Sequence, residues 1–353
     1  MKINSPSFFI GLGGGDLISF GSGQPDMAPP QSVFEVLKGY NSFKYSLVQG
    51  QDNLREALAK QYRGSSKENF IITNGASEAI DLALRAINKE GGVVLLPKPY
   101  YYSYPHNAEL AGFKKEYYDL KNGKINLEEF KVKVKKAVAV IINSPGNPTG
   151  TVQETETLRE IEKLSAQLGF YIISDEVYKD LVYDQESYLM QGEKTITINS
   201  FSKTFGMCGY RIGYAYAREQ LVVDRMVEIK THTSMNTSII GQEMAHEATK
   251  VPQAYIENQT KIWKARRDMI YEGLMNLGLE LWKPEGAFYV FPKLKNPNKV
   301  VNDLYYKYKV ITYDGAWFGD PERVRFSYAL DVEKIEEGLK RLKEYLGKEY
   351  KYN

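Results

Sequence analysis

Five short runs of apolar and β-branched residues constrain the fold of this chain more than any other feature. They are Phe70-Ile71-Ile72, Val93-Val94-Leu95-Leu96, Val138-Ala139-Val140-Ile141-Ile142, Phe170-Tyr171-Ile172-Ile173 and Thr195-Ile196-Thr197-Ile198. Helical periodicity surrounds them: Leu54, Ala57, Leu58 and Gln61 share one face of a helix over 52–62, and further helices are expected near 77–88, 154–168 and 218–230. Strands that are apolar without alternation must be covered on both faces, so this order predicts an α/β fold with a mostly parallel sheet sandwiched by helices. A long amphipathic helix over about 253–275 follows, then short strands and a C-terminal helix from Asp331 to about Leu346. With 353 residues the chain exceeds what one core usually serves. The expected division is therefore a large domain at 41–252 and a smaller α+β domain made of 1–40 plus 253–353.

Residues with chemical potential recur just after these strands, where open parallel sheets bind ligands. After Phe70-Ile71-Ile72 comes Thr73-Asn74-Gly75-Ala76-Ser77, opening a helix whose first backbone N–H groups are free to hold a phosphate. By itself the same feature fits a helix that binds nothing. After the Val93 run comes Pro97-Lys98-Pro99-Tyr100-Tyr101-Tyr102-Ser103-Tyr104, where a ring could stack on a planar ligand or simply pack in the core. After the Val138 run, Asn143-Ser144-Pro145-Gly146-Asn147-Pro148-Thr149-Gly150 presents the Asn147 amide on a backbone stiffened by two prolines. After the Phe170 run comes Ser174-Asp175-Glu176-Val177-Tyr178, and a partly buried Asp175 needs a cationic partner, such as a protonated pyridine nitrogen, or else serves as a helix cap. After the Thr195 run comes Asn199-Ser200-Phe201-Ser202-Lys203, with Arg211 eight residues beyond the lysine. A lysine at a strand end can lose its charge by desolvation and act as a nucleophilic amine, and Arg211 could reach an anion bound beside it.

Composition removes other functions. A net charge of +2 gives no reason to expect nucleic acid or an anionic membrane. The run Lys131-Val132-Lys133-Val134-Lys135-Lys136 is read as a solvated edge leading into a strand. One cysteine, Cys208, rules out an internal disulfide, and three histidines without ligand spacing leave no expected metal. No apolar run is long enough for a bilayer and the first residues lack a signal pattern, so a cytoplasmic protein is expected. Gly11-Leu12-Gly13-Gly14-Gly15 has no convincing strand before it and no long helix after it, which makes a nucleotide loop a poor reading.

Taken in order, Ser144-Pro145-Gly146-Asn147-Pro148-Thr149-Gly150, Ser174-Asp175-Glu176-Val177-Tyr178, Ser200-Phe201-Ser202-Lys203 and Gly209-Tyr210-Arg211-Ile212-Gly213 resemble the motifs of the class I and II aminotransferases, pyridoxal-phosphate-dependent enzymes of fold type I. The resemblance runs from about Gly23 to Ala329. It implies that Lys203 carries pyridoxal 5'-phosphate as a Schiff base and then moves the substrate Cα proton. It implies that Asp175 keeps the ring nitrogen protonated, that Asn147 and Tyr178 bond the ring's phenolic oxygen, and that Tyr101 stacks on the ring. Phosphate binding would fall to Ala76, Ser77, Ser200, Ser202 and Arg211, joined by Tyr45 from the neighbouring subunit of a homodimer with shared sites. Arg325, within Arg323-Val324-Arg325-Phe326-Ser327, would grip the substrate α-carboxylate together with Gly23 and Asn147. The implied reaction is transamination between an L-amino acid and a 2-oxo acid, of the aspartate or aromatic type. A Cβ lyase or decarboxylase on the same fold is the alternative, and a non-catalytic regulator is a more distant one.

Overall fold

A computed structural model describes residues 3, 5–9, 12, 14–89 and 91–348. Gly11 and Gly13 of the N-terminal glycine cluster lie outside the described residues. The strands in chain order are β1 (Ile18–Ser19), β2 (Phe70–Thr73), β3 (Val93–Lys98), β4 (Lys114–Lys121), β5 (Lys124–Ile125), β6 (Ala139–Asn143) and β7 (Tyr171–Asp175). Then come β8 (Thr195–Ser200), β9 (Gly213–Ala217), β10 (Tyr289–Val290), β11 (Val310–Ile311), β12 (Tyr313–Asp314) and β13 (Val324–Ser327).

Eight of these form one sheet in the order β2-β9-β8-β7-β6-β3-β4-β5. β4, β3, β6, β7 and β8 run parallel, β9 is antiparallel to both its neighbours, and β5 is a short hairpin return on β4. The apolar runs are strands because both faces are covered. Ile141, Ile173, Ile196 and Ile198 pack with Ala79, Leu82, Ala83 and Ala86 of the helix Ala76–Ile87. Val140, Ile142 and Ile172, one residue out of phase, pack on Leu158 and Ile161 of the helix Thr155–Leu168. Each such side chain, once fully buried, contributes about 1.5–3 kcal/mol. The helix Thr155–Leu168 stops at Gly169, whose φ of +81° is the left-handed turn that glycine adopts without strain.

A separate apolar cluster joins Ile3, Phe9, Ile18 and Phe20 to Trp263, Ile270, Leu274, the residues of β10 and β11, and Val324 and Phe326 of β13. β1 pairs in parallel with β11, which ties the N-terminal segment to the C-terminal third. Val177, Tyr178 and Leu181, just past β7, belong to the same cluster and so connect it to the strand ends.

Three local expectations change. Lys131 to Lys136 is the end of a helix, Leu127–Lys133, and the turn Val134–Lys136, not an edge segment. The Asn126 side chain caps that helix by accepting from Glu129 N, and Lys133 donates to the Tyr117 carbonyl at 2.8 Å. β4 and β9 are strands absent from the five apolar runs, and the helix expected to reach Tyr62 ends at Ala59.

Candidate active site

β6, β7 and β8 end together, and their last residues, Asn143, Asp175 and Ser200, line a cavity of about 700 Å³. Asn143 and Asp175 are register partners, and Asn143 Nδ2 donates to the Asp175 carbonyl at 3.0 Å. The same Asn143 side chain accepts from Asn147 N at 2.8 Å. The loop carrying Asn147 is thus fixed to the sheet from both sides.

The Asp175 carboxylate is buried, and burial pushes it up to about 6, against the pull of a hydrogen bond from Tyr104 Oη at 2.5 Å, one from Val177 N, and the Lys203 charge. Lys203 sits in the single turn Phe201–Thr204 directly after β8, and its Nζ donates to the Gly23 carbonyl at 2.6 Å. Burial first, then the charges of Arg325 and Arg211, hold its ammonium below the ordinary lysine range, while Cys208 and Asp175 pull the other way. Tyr178 Oη lies 2.8 Å from Tyr289 Oη.

Around the start of Ala76–Ile87 the chain leaves room for an anion. No side chain caps this helix; its N-cap is Gly75 at φ +80°. Arg211, itself left-handed at φ +58°, donates from Nη2 to Asn74 O at 3.3 Å and from Nη1 to Cys208 O at 3.1 Å. A Cβ on Gly75 would meet Arg211 Nη2 at 2.4 Å, and one on Gly213 would meet Ala76 N at 2.6 Å. Only glycine lets the guanidinium and the helix N-terminus approach this closely. The Ser200 and Ser202 hydroxyls, 2.8 Å apart, complete a set of donors suited to a phosphate.

On another wall Arg325, 2% exposed, is enclosed by the rings of Tyr289, Tyr313 and Phe318 at 4.5, 4.6 and 4.7 Å. Its Nη1 donates to Asn147 Oδ1 at 3.0 Å and its Nη2 to the Gly21 carbonyl at 2.5 Å, while Nε has no partner. A guanidinium with an unused buried N–H matches a carboxylate.

Gly23, Ala76, Ser77, Tyr101, Asn147, Asp175, Tyr178, Ser200, Ser202, Lys203, Arg211 and Arg325 all line this one cavity. Tyr45 does not: it is 80% exposed, beside Ser46, whose carbonyl accepts from Asn236 Nδ2 at 2.7 Å. Tyr104, Asn143 and Tyr289 line the same cavity without having been expected as site residues, although Pro284-Glu285-Gly286-Ala287-Phe288-Tyr289 also resembles the family. Tyr104 was visible only as the last of several tyrosines, Asn143 only as the start of a proline turn. Pyridoxal phosphate fits the residues present on three counts: a glycine-lined anion cradle, a buried carboxylate needing a cation, and an amine with a lowered pKa. Among the described residues no cluster of three or more histidine, cysteine or acidic side chains could hold a metal, and no helix is long and apolar enough to cross a membrane.

The family model for aminotransferase class I and II matches residues 15–342. The probable aspartate/prephenate aminotransferase of Aquifex aeolicus is 34% identical, over 94% of this chain and 92% of its own. The aspartate aminotransferase structure from Thermotoga maritima superposes with a TM-score of 0.89 at 32% identity, covering 97% of this chain and 95% of that one. The aromatic aminotransferase structure from Pyrococcus horikoshii does so with a TM-score of 0.88 at 32% identity, covering 97% and 99%. The chain belongs to the class I and II aminotransferases, and it is a pyridoxal-phosphate-dependent enzyme that moves an amino group between an amino acid and a 2-oxo acid.

Proposed function

We propose that the 700 Å³ cavity is the transamination site and that Lys203 is its catalytic amine. The observation that carries this reading is the convergence of Lys203, Asp175, Arg211 and Arg325 on one cavity from three separate stretches of chain, the end of β7, the segment between β8 and β9, and β13. When bound, pyridoxal phosphate supplies an electron-withdrawing ring that makes the substrate Cα–H acidic and stores the amino group between half-reactions.

The chain's own residues do the rest. Lys203, its ammonium destabilised by burial, would be the group that takes the Cα proton and moves it between substrate and cofactor. Asp175 would pair with the ring nitrogen and keep a proton on it. An ion pair there offsets the burial that otherwise pushes the carboxyl up to about 6. Asn147 has its Oδ1 occupied by Arg325, which leaves Nδ2 as a donor to the phenolic oxygen, and Tyr178 is the second donor. Tyr101 packs on the ring. Ala76 and Ser77 backbone, Ser200, Ser202 and Arg211 hold the phosphate. Arg325, with Gly23 and Asn147 beside it, binds the α-carboxylate.

The same reading makes the enzyme a cytoplasmic homodimer. The exposure of Tyr45 on a segment held by Asn236 supports its reach into the site of a second subunit. It also divides the chain into a cofactor domain at 41–252 and a smaller domain of 1–40 plus 253–353. That division is supported by the apolar cluster joining the N-terminal residues to those beyond Trp263.

The test is a half-reaction. Cofactor-loaded enzyme mixed with an amino acid, with no oxo acid present, should lose its yellow colour and release one equivalent of 2-oxo acid. Adding a 2-oxo acid should restore the colour. Release of ammonia or carbon dioxide instead would place the enzyme with the lyases or decarboxylases.

A further inference from the structure

Among the described residues the basic side chains lining the cavity are three, Lys203, Arg211 and Arg325, and each already has a role. Lys203 is the reacting amine, and Arg211 stands over the phosphate cradle. Arg325 has two of its five N–H groups on Asn147 and Gly21, and the others, the unpartnered Nε among them, are left for the α-carboxylate. An amino acid with a second carboxylate would need a fourth cation, and the described residues of this subunit's wall next to Arg325 offer none.

That wall is made of rings and an aliphatic side chain. Tyr313 lies over the guanidinium, and Phe9 stacks on Tyr313 with centroids 5.8 Å apart and planes 21° apart. Tyr102 meets Phe318 edge-on at 5.9 Å, and Phe318 in turn faces Arg325. Leu12, 41% exposed, is also part of the lining. Gly21 fits beneath Tyr313 only because it has no side chain, since a Cβ there would lie 2.4 Å from the ring. The polar side chains on the same strap, Ser22 and Gln24, are neutral. A carboxylate pressed on such a wall loses water without gaining a counter-charge, whereas an aromatic ring gains edge and face contacts.

We propose that the preferred amino donors carry an aromatic or large apolar side chain, recognised by Phe9, Leu12, Tyr102 and Tyr313, and that aspartate is a poor donor. The proposal rests on the transamination reading above and adds the substrate class to it.

Stopped-flow single turnover tests it, using the whole cofactor-loaded enzyme with phenylalanine, tyrosine, leucine, alanine, aspartate and glutamate. The second-order rate of cofactor conversion for phenylalanine or tyrosine should exceed that for aspartate at least ten-fold. Tyr102→Ala should lower the ratio of the phenylalanine rate to the alanine rate at least five-fold. Aspartate reacting as fast as phenylalanine, as it would if a partner subunit supplied the missing cation, overturns the proposal. So does an unchanged ratio in Tyr102→Ala. Conversion by none of the six amino acids would overturn the transamination reading itself, a different result from a wrong preference among donors.

Discussion

Arg325 Nη1 and Asn147 Oδ1 meet at 3.0 Å across 178 residues of sequence. The contact joins β13 to the loop after β6, and it sets which face of the Asn147 amide points into the cavity. One hydrogen bond thereby links the group proposed for the substrate carboxylate to a group proposed for the cofactor ring.

The first prediction follows from that geometry. Lysine in place of Arg325 keeps the charge but not the planar fork that reaches Asn147 and Gly21 while presenting another N–H. Loss of one charged hydrogen bond, about 1.5–3 kcal/mol, corresponds to a fall of about 10- to 100-fold in kcat/KM. Steady-state kinetics of Arg325→Lys should show this with every donor amino acid, and wild-type values would place the carboxylate elsewhere.

The Tyr104 bond to Asp175 governs how the cofactor is held as pH changes. Burial raises the Asp175 carboxyl to about 6, and a cationic ring nitrogen opposite would lower it again. The cofactor therefore binds the ionised carboxylate better, and its affinity should fall as pH drops below about 6. Tyr104→Phe removes a hydrogen bond that lowers the carboxyl, so the fall should begin at a higher pH. Titration of cofactor binding by absorbance across pH 5 to 8 reads the shift.

Glu78 lies in the first turn of the helix that opens the phosphate cradle and pairs with Lys230, which is fully buried, at 2.8 Å. Burial pushes the Glu78 carboxyl up, but bonds from Lys230, Ser234 and Asn74 overcome it and leave it below its ordinary value. Glu78→Gln would strand a buried ammonium, a change that costs about 3–5 kcal/mol. Urea denaturation should show that loss, and replacing Lys230 with methionine in the same chain should recover part of it.

Glu176 yields a prediction of opposite sign from the usual carboxylate. Burial raises it to about 8, from 4.5 for the free side chain, with partial relief from Ser174, Met190 N and Lys179 and a further push from Glu162. Between those pH values the folded chain holds a proton that the unfolded chain has lost. Stability therefore falls as pH rises through this window, by on the order of a few kcal/mol, and levels off above about pH 8. Glu176→Gln should melt close to wild type near pH 5 and at a higher temperature at pH 8.5. Identical pH profiles for the two would mean that the carboxyl is not buried as described.

What the sequence disclosed follows the strength of each local signal. β6, β7 and β8 were legible because both faces are covered and nearly every residue is apolar or β-branched. β4 was not, because five of the eight residues of Lys114–Lys121 are charged, it lies near the rim of the sheet, and only Tyr118 and its partly buried neighbours face the core. β9 was hidden inside Gly213-Tyr214-Ala215-Tyr216-Ala217, where glycine and alanine leave little strand character. Within the site, Lys203, Asp175, Asn147 and Arg211 could be read because each sits at or near a strand end in a segment with its own pattern. Tyr104 and Asn143 act through contacts with Asp175 and Asn147, and no pattern in their own segments marks that.

Reduction by borohydride addresses Lys203 directly. The protein loaded with pyridoxal phosphate, reduced, digested and mapped by mass spectrometry, should carry one phosphopyridoxyl group on the peptide containing Lys203. Lys203→Ala should bind the cofactor through its phosphate contacts yet retain no label. A stoichiometric label on any other lysine, or a full label on Lys203→Ala, would contradict the account.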